Sequence, residues 1–174
     1  GDSRAGLVKR MRQAMTRLLT EAWPNRRDDL PLKTPAEALV LASIVEKETG
    51  VASERRRVAG VFINRLRIGM RLQSDPTVIF GITKGREPLG RSITKSDLRT
   101  ETAYNTYVIK GLPPGPITNP GRAAILAVLN PADTEELYFV ANGFGGHAFA
   151  RTLREHNRNV AQWRKIERAR KKAN

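Results

Sequence analysis

The segment from Thr34 to Thr49 reads as a helix with an almost wholly apolar surface, and such a helix must be buried on nearly all sides. Thr34, Pro35 and Glu37 form its start signal, a capping box with proline in the first turn. Between Glu37 and the end of the apolar letters AEALVLASIV, the only polar residue is Ser43. The rest of the fold must therefore be built around this helix.

Four further helices are indicated by apolar side chains at helical spacing and by residues that start or stop a helix. They cover about residues 5–22, a segment from Ser53 to the stop at Gly69, a segment capped by Asn119 that runs to about Leu129, and a last helix. Thr152 and Glu155 form a second capping box for the last helix, which buries Val160, Trp163 and Ile166 before it frays into the letters RARKKAN.

The remaining segments predict a small sheet and a long loop region. LYFVA and HAFA, joined by the glycine-rich NGFGGH, read as an antiparallel hairpin. Between Met70 and Thr118 the helical period disappears, and Thr77–Ile79 and Thr106–Ile109 are read as short strands within an ordered loop. The predicted fold class is α+β, a mainly helical domain with a small antiparallel sheet and a long ordered loop region that forms a cleft.

The chain reads as one structural domain with three parts. These are an N-terminal amphipathic helix and linker over residues 1–33, a core over 34–160 and a basic helix end over 161–174. The sequence has no cysteine, which excludes disulfides, thiolate nucleophiles and cysteine-ligated zinc. No apolar run approaches the roughly 18–20 residues that a membrane-spanning helix needs.

The positive charge is concentrated at the two ends of the chain. The formal net charge is +14, and residues 1–33 carry 8 basic and 4 acidic side chains, while residues 151–174 carry 9 basic and 2 acidic ones. Such ends attract polyanions such as nucleic acid, anionic lipid head groups or an acidic polymer, or they are simply solvated helix faces. The middle is nearly balanced and lacks interleaved basic and aromatic residues, which counts against a nucleic-acid-binding module.

Two carboxylates stand where the apolar helix ends. Glu46 and Glu48 follow the letters SIV without a break in the helical pattern, although burial of an unpaired carboxylate is costly. On the helical wheel Glu46 lies over the small residues Ala42 and Ser43, which leave room for a ligand. Glu48 lies over a bulky stripe. The wheel therefore favours Glu46 as a general acid and Glu48 as the partner of an arginine, unless both are ordinary residues at a helix end.

Three long blocks resemble a known family. They are LASIVEKETGVASERRRVAGVFINRLRIGMRLQSDPTVIFG, AYNTYVIKGLPPGPITNPG and LYFVANGFGGHAFARTLREHN. In this order, from about Leu32 to Val160, they closely resemble the endolytic murein transglycosylase (YceG-like) family. Full-length members of that family also carry an N-terminal membrane anchor and a small LysM-like module. The resemblance thus implies an excised catalytic domain of a protein anchored at the periplasmic face of the bacterial inner membrane.

The resemblance also implies a reaction. Members of this family cut the bond between N-acetylmuramic acid and N-acetylglucosamine inside peptidoglycan strands, without water, and the first acid of IVEKET, Glu46, is implied as the catalytic group. Glu46 would protonate the glycosidic oxygen and then take a proton from the C6 hydroxyl of muramic acid, which closes a 1,6-anhydro ring. One carboxyl serves both steps, so the second carboxylate of ordinary glycosidases is not required.

Polar and aromatic residues of the loop region are predicted to bind the sugars. In LQSDPT the side chains of Gln73, Asp75 and Thr77 can grip hydroxyl and N-acetyl groups, and Asp75 can also steady positive charge at C1, unless the segment is only an Asx-type turn. In AYNTY the rings of Tyr104 and Tyr107 can stack on sugar faces, although one of them is expected in the core.

A polar side chain, a proline-rich segment and two histidines are the other candidate features of the site. Asn105 is predicted to bind the substrate or to position Glu46, and GLPPGPI is predicted to form a rigid wall of the cleft. His147 lies beside a glycine turn and His156 near a helix start, and both are expected to be structural.

The expected partners are peptidoglycan strands and, through the resemblance, peptidoglycan synthases (penicillin-binding proteins) and a membrane reached by the anchor. Nucleic acid is not an expected partner, and no metal or cofactor is expected. Three alternatives stay open: a muramidase that uses water, a nucleic-acid-binding module, and a wall-binding scaffold without activity.

Overall fold

The structure is a computed structural model that describes residues 3–173, and within that range it is mainly helical with one two-stranded sheet. The predicted α+β class is confirmed. The α-helices are α1 (Arg4–Ala22), α2 (Pro35–Glu48), α3 (Arg55–Arg67), α4 (Asp75–Thr83), α5 (Arg122–Leu129) and α6 (Leu153–Ala173), and the strands are β1 (Tyr138–Ala141) and β2 (His147–Ala150). Over the described residues, none of the helices is both long and apolar enough to cross a bilayer.

Helix α2 is the centre of the core, as the apolar pattern predicts. Leu41, Ile44 and Val45 have no exposed surface, and α3 and α5 pack against them. The helix begins at the predicted capping box, where the Thr34 hydroxyl accepts the Glu37 N–H at 3.2 Å. Helix α1, by contrast, has no fully buried residue and covers the core only through partly buried apolar side chains near its C-terminal end.

Helix α4 was not predicted, and it replaces the short strand expected at Thr77–Ile79. Asp75-Pro76 was read as a turn, but proline is also favoured in the first turn of a helix, and that preference prevails here. A side chain at Gly81 would collide with the Thr102 hydroxyl, so this glycine lets α4 lie directly against the following loop. The second strand expected, Thr106–Ile109, is a series of turns.

The starts of α3 and α5 differ from the prediction, and the end of α3 agrees with it. Glu54 rather than Ser53 precedes α3, and Gly121 rather than Asn119 precedes α5. Helix α3 ends where Gly69 adopts a φ of +66°, with the Met70 N–H bonded to the Arg65 carbonyl at 2.8 Å. This bond and the one from the Gly69 N–H to the Leu66 carbonyl form a Schellman motif.

The predicted hairpin is confirmed, with Tyr138 opposite Ala150 and Ala141 opposite His147. Helix α6 packs against both strands and begins with the predicted capping box, since the Glu155 N–H bonds to the Thr152 hydroxyl and the Thr152 N–H to the Glu155 carboxylate, each at 3.2 Å. The final letters expected to fray are helical as far as the structure describes them; Asn174 lies outside the described residues.

Candidate active site

A groove of about 470 Å³ opens where the end of α2 meets the loop before α4, the hairpin and α6. Its polar lining comes from distant parts of the sequence and includes Glu48, Arg65, Asp75, Tyr107, His147 and His156. Two larger hollows run along α1, but no carboxylate or imidazole among the described residues lines either of them. The groove therefore offers acid–base chemistry the carboxylates and imidazoles that, among the described residues, the two larger hollows lack.

Glu48 is the acid at the end of α2 that lines this groove. The Ser74 hydroxyl donates to its Oε1 at 2.5 Å and fixes the carboxyl. Burial raises the pKa of Glu48 to about 7, and the negative charge of Asp75 acts in the same direction, while Ser74, His147 and Arg65 oppose the rise. A carboxyl with a pKa near 7 can hold a proton and release it near neutral pH, which is what a general acid must do.

Asp75 and Tyr107 form a second polar pair in the groove. The Tyr107 hydroxyl donates to Asp75 Oδ1 at 2.6 Å. Burial, and after it the hydrogen bond to Asp75, raises the pKa of Tyr107, so the phenol keeps its proton. The pair holds a carboxylate whose charge acts on Glu48, and no cation among the described residues forms an ion pair with it.

Gln73 stands at the groove with a strained backbone. Its φ is +50°, in the left-handed region that favours glycine, and its N–H is bonded to the Thr106 carbonyl at 3.1 Å. Its side chain is exposed and lines the groove. A residue other than glycine costs about 1 kcal/mol or more in this conformation, and such strain is often found at functional sites.

His147 also lines the groove, and Glu54 holds it in place. The Glu54 carboxylate accepts the His147 N–H at 3.0 Å and contacts ring Nδ1 at 2.7 Å. Burial alone would raise the pKa of Glu54, but the two hydrogen bonds from His147 outweigh it and leave that pKa below its ordinary value. His147 is thus oriented by a carboxylate on the far side of its ring from Nε2.

Glu46, the acid that the sequence favoured, lies outside the groove. Its Oε2 accepts the N–H of Gly121, the residue that caps α5, at 3.0 Å. The small residues expected to leave room for a ligand are instead covered by the chain itself, because the Ser43 hydroxyl accepts the Ile117 N–H at 2.9 Å. The expectation that Glu46 faces the cleft is therefore wrong, and so is the expected pairing of Glu48 with an arginine, since Glu48 bonds to Ser74.

Three of the six predicted sugar-binding residues, Gln73, Asp75 and Tyr107, line the groove; the other three do not. Asn105 is 1% exposed and donates to the carbonyls of residues 97, 98 and 100, so it closes a loop. Thr77 is fully buried and bonds to Ser74 and Thr106, which holds the loop before α4.

The tyrosine expected in the core is Tyr104. Its ring packs at 4.7 Å on Phe80, away from the groove. The GLPPGPI segment also lies away from the groove, against α2.

Arg65, His147 and His156 line the groove, although no functional role was predicted for them from the sequence. Each sits on an element whose fold was predicted, but the hairpin and α6 come together with α2 only in three dimensions. A glycine turn followed at once by histidine, GGH, is the signal in the sequence that could have pointed to His147.

Comparison with known proteins identifies a matching family model and several similar proteins. A family model described as the YceG-like family matches residues 1–162. The chain belongs to the YceG-like family. The fold agrees, because a yceG-like protein of Listeria monocytogenes, solved by crystallography, superposes with a TM-score of 0.66 at 42% identity, over 71% of this chain and 39% of that one.

Two named relatives of this YceG-like chain are endolytic murein transglycosylases. The protein from Bacillus subtilis (strain 168) is 41% identical over 120 residues, which are 69% of this chain and 32% of the relative. The protein from Streptococcus pneumoniae serotype 2 (strain D39) is 37% identical over 135 residues, 74% of this chain and 24% of the relative. The chain thus spans a third or less of the curated relatives it matches.

Proposed function

We propose that this chain is the catalytic part of a lytic transglycosylase that cuts peptidoglycan strands internally, with Glu48 as general acid and then base. The observation that carries the proposal is the carboxyl of Glu48, which lines the groove and has a pKa of about 7. The names of the relatives, which are endolytic murein transglycosylases, supply the substrate class. Glu48 takes the role first assigned to Glu46.

In the first proposed step, protonated Glu48 donates to the oxygen that links C1 of N-acetylmuramic acid to N-acetylglucosamine. The C1–O bond breaks, its electron pair stays on the leaving oxygen, and C1 becomes oxocarbenium-like. In the second step the C6 hydroxyl of the same muramic acid attacks C1, and its proton passes to the Glu48 carboxylate. The enzyme returns to its starting state, and no water is consumed.

The neighbours of Glu48 fit this sequence of events. Asp75, whose carboxylate bonds to Tyr107 and to no cation among the described residues, would face the positive charge that develops at C1. Gln73 offers an exposed amide to hydroxyl or N-acetyl groups of the sugars. The Ser74 hydroxyl would keep Glu48 aimed at the glycosidic oxygen in both protonation states.

The proposal extends to location and partners. Peptidoglycan lies outside the cytoplasmic membrane, so the domain would act at the periplasmic face of the inner membrane, held by an anchor elsewhere in the whole protein. Peptidoglycan synthases that make new strands would be neighbours there. These statements rest on the substrate class and on the family resemblance of the sequence.

The products of digestion test the reaction. Purified glycan strands treated with the protein should yield muropeptides with 1,6-anhydro ends, which mass spectrometry separates by one water from the reducing ends that a muramidase leaves. Reducing ends would assign the chain to the hydrolases. Binding of strands without any cleavage would make it a scaffold, and salt-sensitive binding of nucleic acid by Glu48→Gln and wild type alike would favour the nucleic-acid module.

A further inference from the structure

Arg65 is a buried cation at the groove that interacts electrostatically with Glu48 but forms no ion pair within the described residues. Its residue surface is 7% exposed, yet it is part of the groove lining. No carboxylate among residues 3–173 lies within 4 Å of its nitrogens. Burial of an unpaired charge is costly, so a guanidinium kept in this position needs an explanation.

Two backbone carbonyls account for part of the hydrogen bonding of the Arg65 guanidinium. Arg65 Nε donates to the Leu137 carbonyl at 2.7 Å, and Nη1 donates to the Leu72 carbonyl at 2.5 Å. These bonds join α3 to the start of β1 and to the loop before α4. A guanidinium has five N–H groups, and Nη2 has no hydrogen-bond partner in the described part of the chain. The charge itself is not neutralised by either carbonyl.

Two aromatic rings lie next to the Arg65 guanidinium in the lining of the groove. Its Cζ lies 5.5 Å from the centre of the Tyr138 ring, and the His156 ring stacks on the same tyrosine at 5.2 Å. His156 Nδ1 is buried with no hydrogen-bond partner in the described structure. Arg65, Tyr138 and His156 thus form one wall of the groove, where Nη2 of Arg65 is a donor without a partner in the described chain.

We propose that this wall, formed by Arg65, Tyr138 and His156, binds a carboxylate of the peptide attached to the glycan. The inference rests on the proposed function. The N-acetylated sugars of a strand are neutral, whereas the peptide substituents on muramic acid carry carboxylates. A guanidinium next to C1 would oppose the positive charge of the bond-breaking step, so Arg65 suits a charged substituent and not the reacting carbon.

The experiment compares affinities for two kinds of glycan strand: strands whose peptides keep their free carboxylates, and strands whose peptide carboxylates have been converted to amides. Binding is measured with Glu48→Gln protein at about 0.15 M salt, which screens the exposed basic ends and allows no cleavage. We expect the strands with free carboxylates to bind about tenfold more tightly, the usual effect of one charge-assisted pair. Arg65→Gln added to this background should reduce the ratio to about one.

Arg67→Gln is the matched control. Arg67 lies two residues further along α3, is partly exposed and pairs with Asp29 at 2.5 Å, so its loss removes the same charge outside the groove. The ratio should stay near ten in this variant. Each ratio comes from one protein preparation, so a reduced yield of folded Arg65→Gln does not change it.

Two results would overturn the carboxylate site: equal affinities with Arg65 intact, or a preference that survives Arg65→Gln. If Arg65→Gln does not fold, the comparison within the Glu48→Gln protein still decides, because equally tight binding of the free and the amidated strands would contradict the site. Failure of the proposed function is a separate result, since it would appear as wild-type protein that yields no anhydro ends.

Discussion

Glu46 and Glu48 lie on different sides of the last turn of α2, and their surroundings differ. On one side Glu46 meets the backbone of the segment before α5 and accepts the Gly121 N–H. On the other side Glu48 meets Ser74 at the floor of an open groove, where burial raises its pKa to about 7. The same side chain, placed two residues apart on one helix, becomes a structural acceptor in one position and a candidate acid in the other.

The contrast shows that the residues packed around a glutamate, and not its position on the helix alone, decide its role. Glu46 lies at the N-terminal end of α5, where an acceptor for a free N–H stabilises a helix by about 0.5–1 kcal/mol. Among the described residues Glu48 accepts a hydrogen bond from the Ser74 hydroxyl and from no backbone N–H. Its carboxyl lines the groove and is therefore available to a substrate, whereas Glu46 lies outside the groove.

Substitution of either glutamate by glutamine tests which of the two is the acid. Glu48→Gln should lower the rate of strand cleavage about a thousandfold, because it removes the proton that the leaving oxygen needs. Glu46→Gln keeps an oxygen that can accept the Gly121 N–H, so its rate should stay within about twofold of wild type. Release of anhydro muropeptides from purified strands measures both. A large loss in Glu46→Gln with an active Glu48→Gln would reverse the assignment.

The next effect is on stability and depends on pH. The pKa of Glu48 is higher in the folded protein, about 7, than its ordinary value of 4.5, so the folded state binds more protons and loses stability as the pH rises through this window. Glu48→Gln has no such titration. It should match wild type near pH 4 and be more stable by about 3 kcal/mol at pH 8.

Urea unfolding at both pH values measures this difference, with Glu46→Gln as the control that should follow wild type. Equal stability of wild type and Glu48→Gln at pH 8 would mean that the Glu48 carboxyl is not penalised by burial. A gain in stability at pH 8 for Glu46→Gln instead would mean that Glu46, and not Glu48, is the carboxyl penalised by burial.

Two substitutions of Gln73 separate the effect of its strained backbone on stability from the effect of its side-chain amide on cleavage, and both effects should be smaller than those at Glu48. Gln73→Gly relieves the left-handed backbone, so stability should stay the same or rise by up to about 1 kcal/mol, while cleavage falls several-fold because the amide is lost. Gln73→Ala loses the same amide but keeps the strain. The two variants should cleave strands at the same reduced rate, whereas thermal unfolding should show Gln73→Gly to be the more stable. Full activity in both variants would remove Gln73 from the substrate site.

Most of the fold could be predicted from local signals. The capping boxes at Thr34 and Thr152, the glycine-rich hairpin turn and the stop at Gly69 each depend on residues within a few positions of one another. Helix α4 was missed because Asp75-Pro76 suits either a turn or a helix start, and only contact with the loop at Thr102 decides between them.

The site could be predicted only in part, since a helical wheel shows one helix and not what covers it. Small residues below Glu46 suggested an open cleft, but Ile117 and Gly121, more than 70 residues away, fill that side. Gln73 and Asp75 were found because they lie in a polar loop. Arg65 could not be predicted as part of the site because nothing in an arginine-rich helix distinguishes a buried guanidinium from an exposed one.

The central claim is that Glu48 holds a proton near neutral pH, and a carboxyl titration tests it most directly. With ¹³C-labelled glutamate carboxyls, NMR should reveal a resonance with a midpoint of about pH 7 that is present in wild type and Glu46→Gln and missing from Glu48→Gln. Ordinary midpoints for every glutamate, or a high midpoint that disappears in Glu46→Gln instead, would contradict the account.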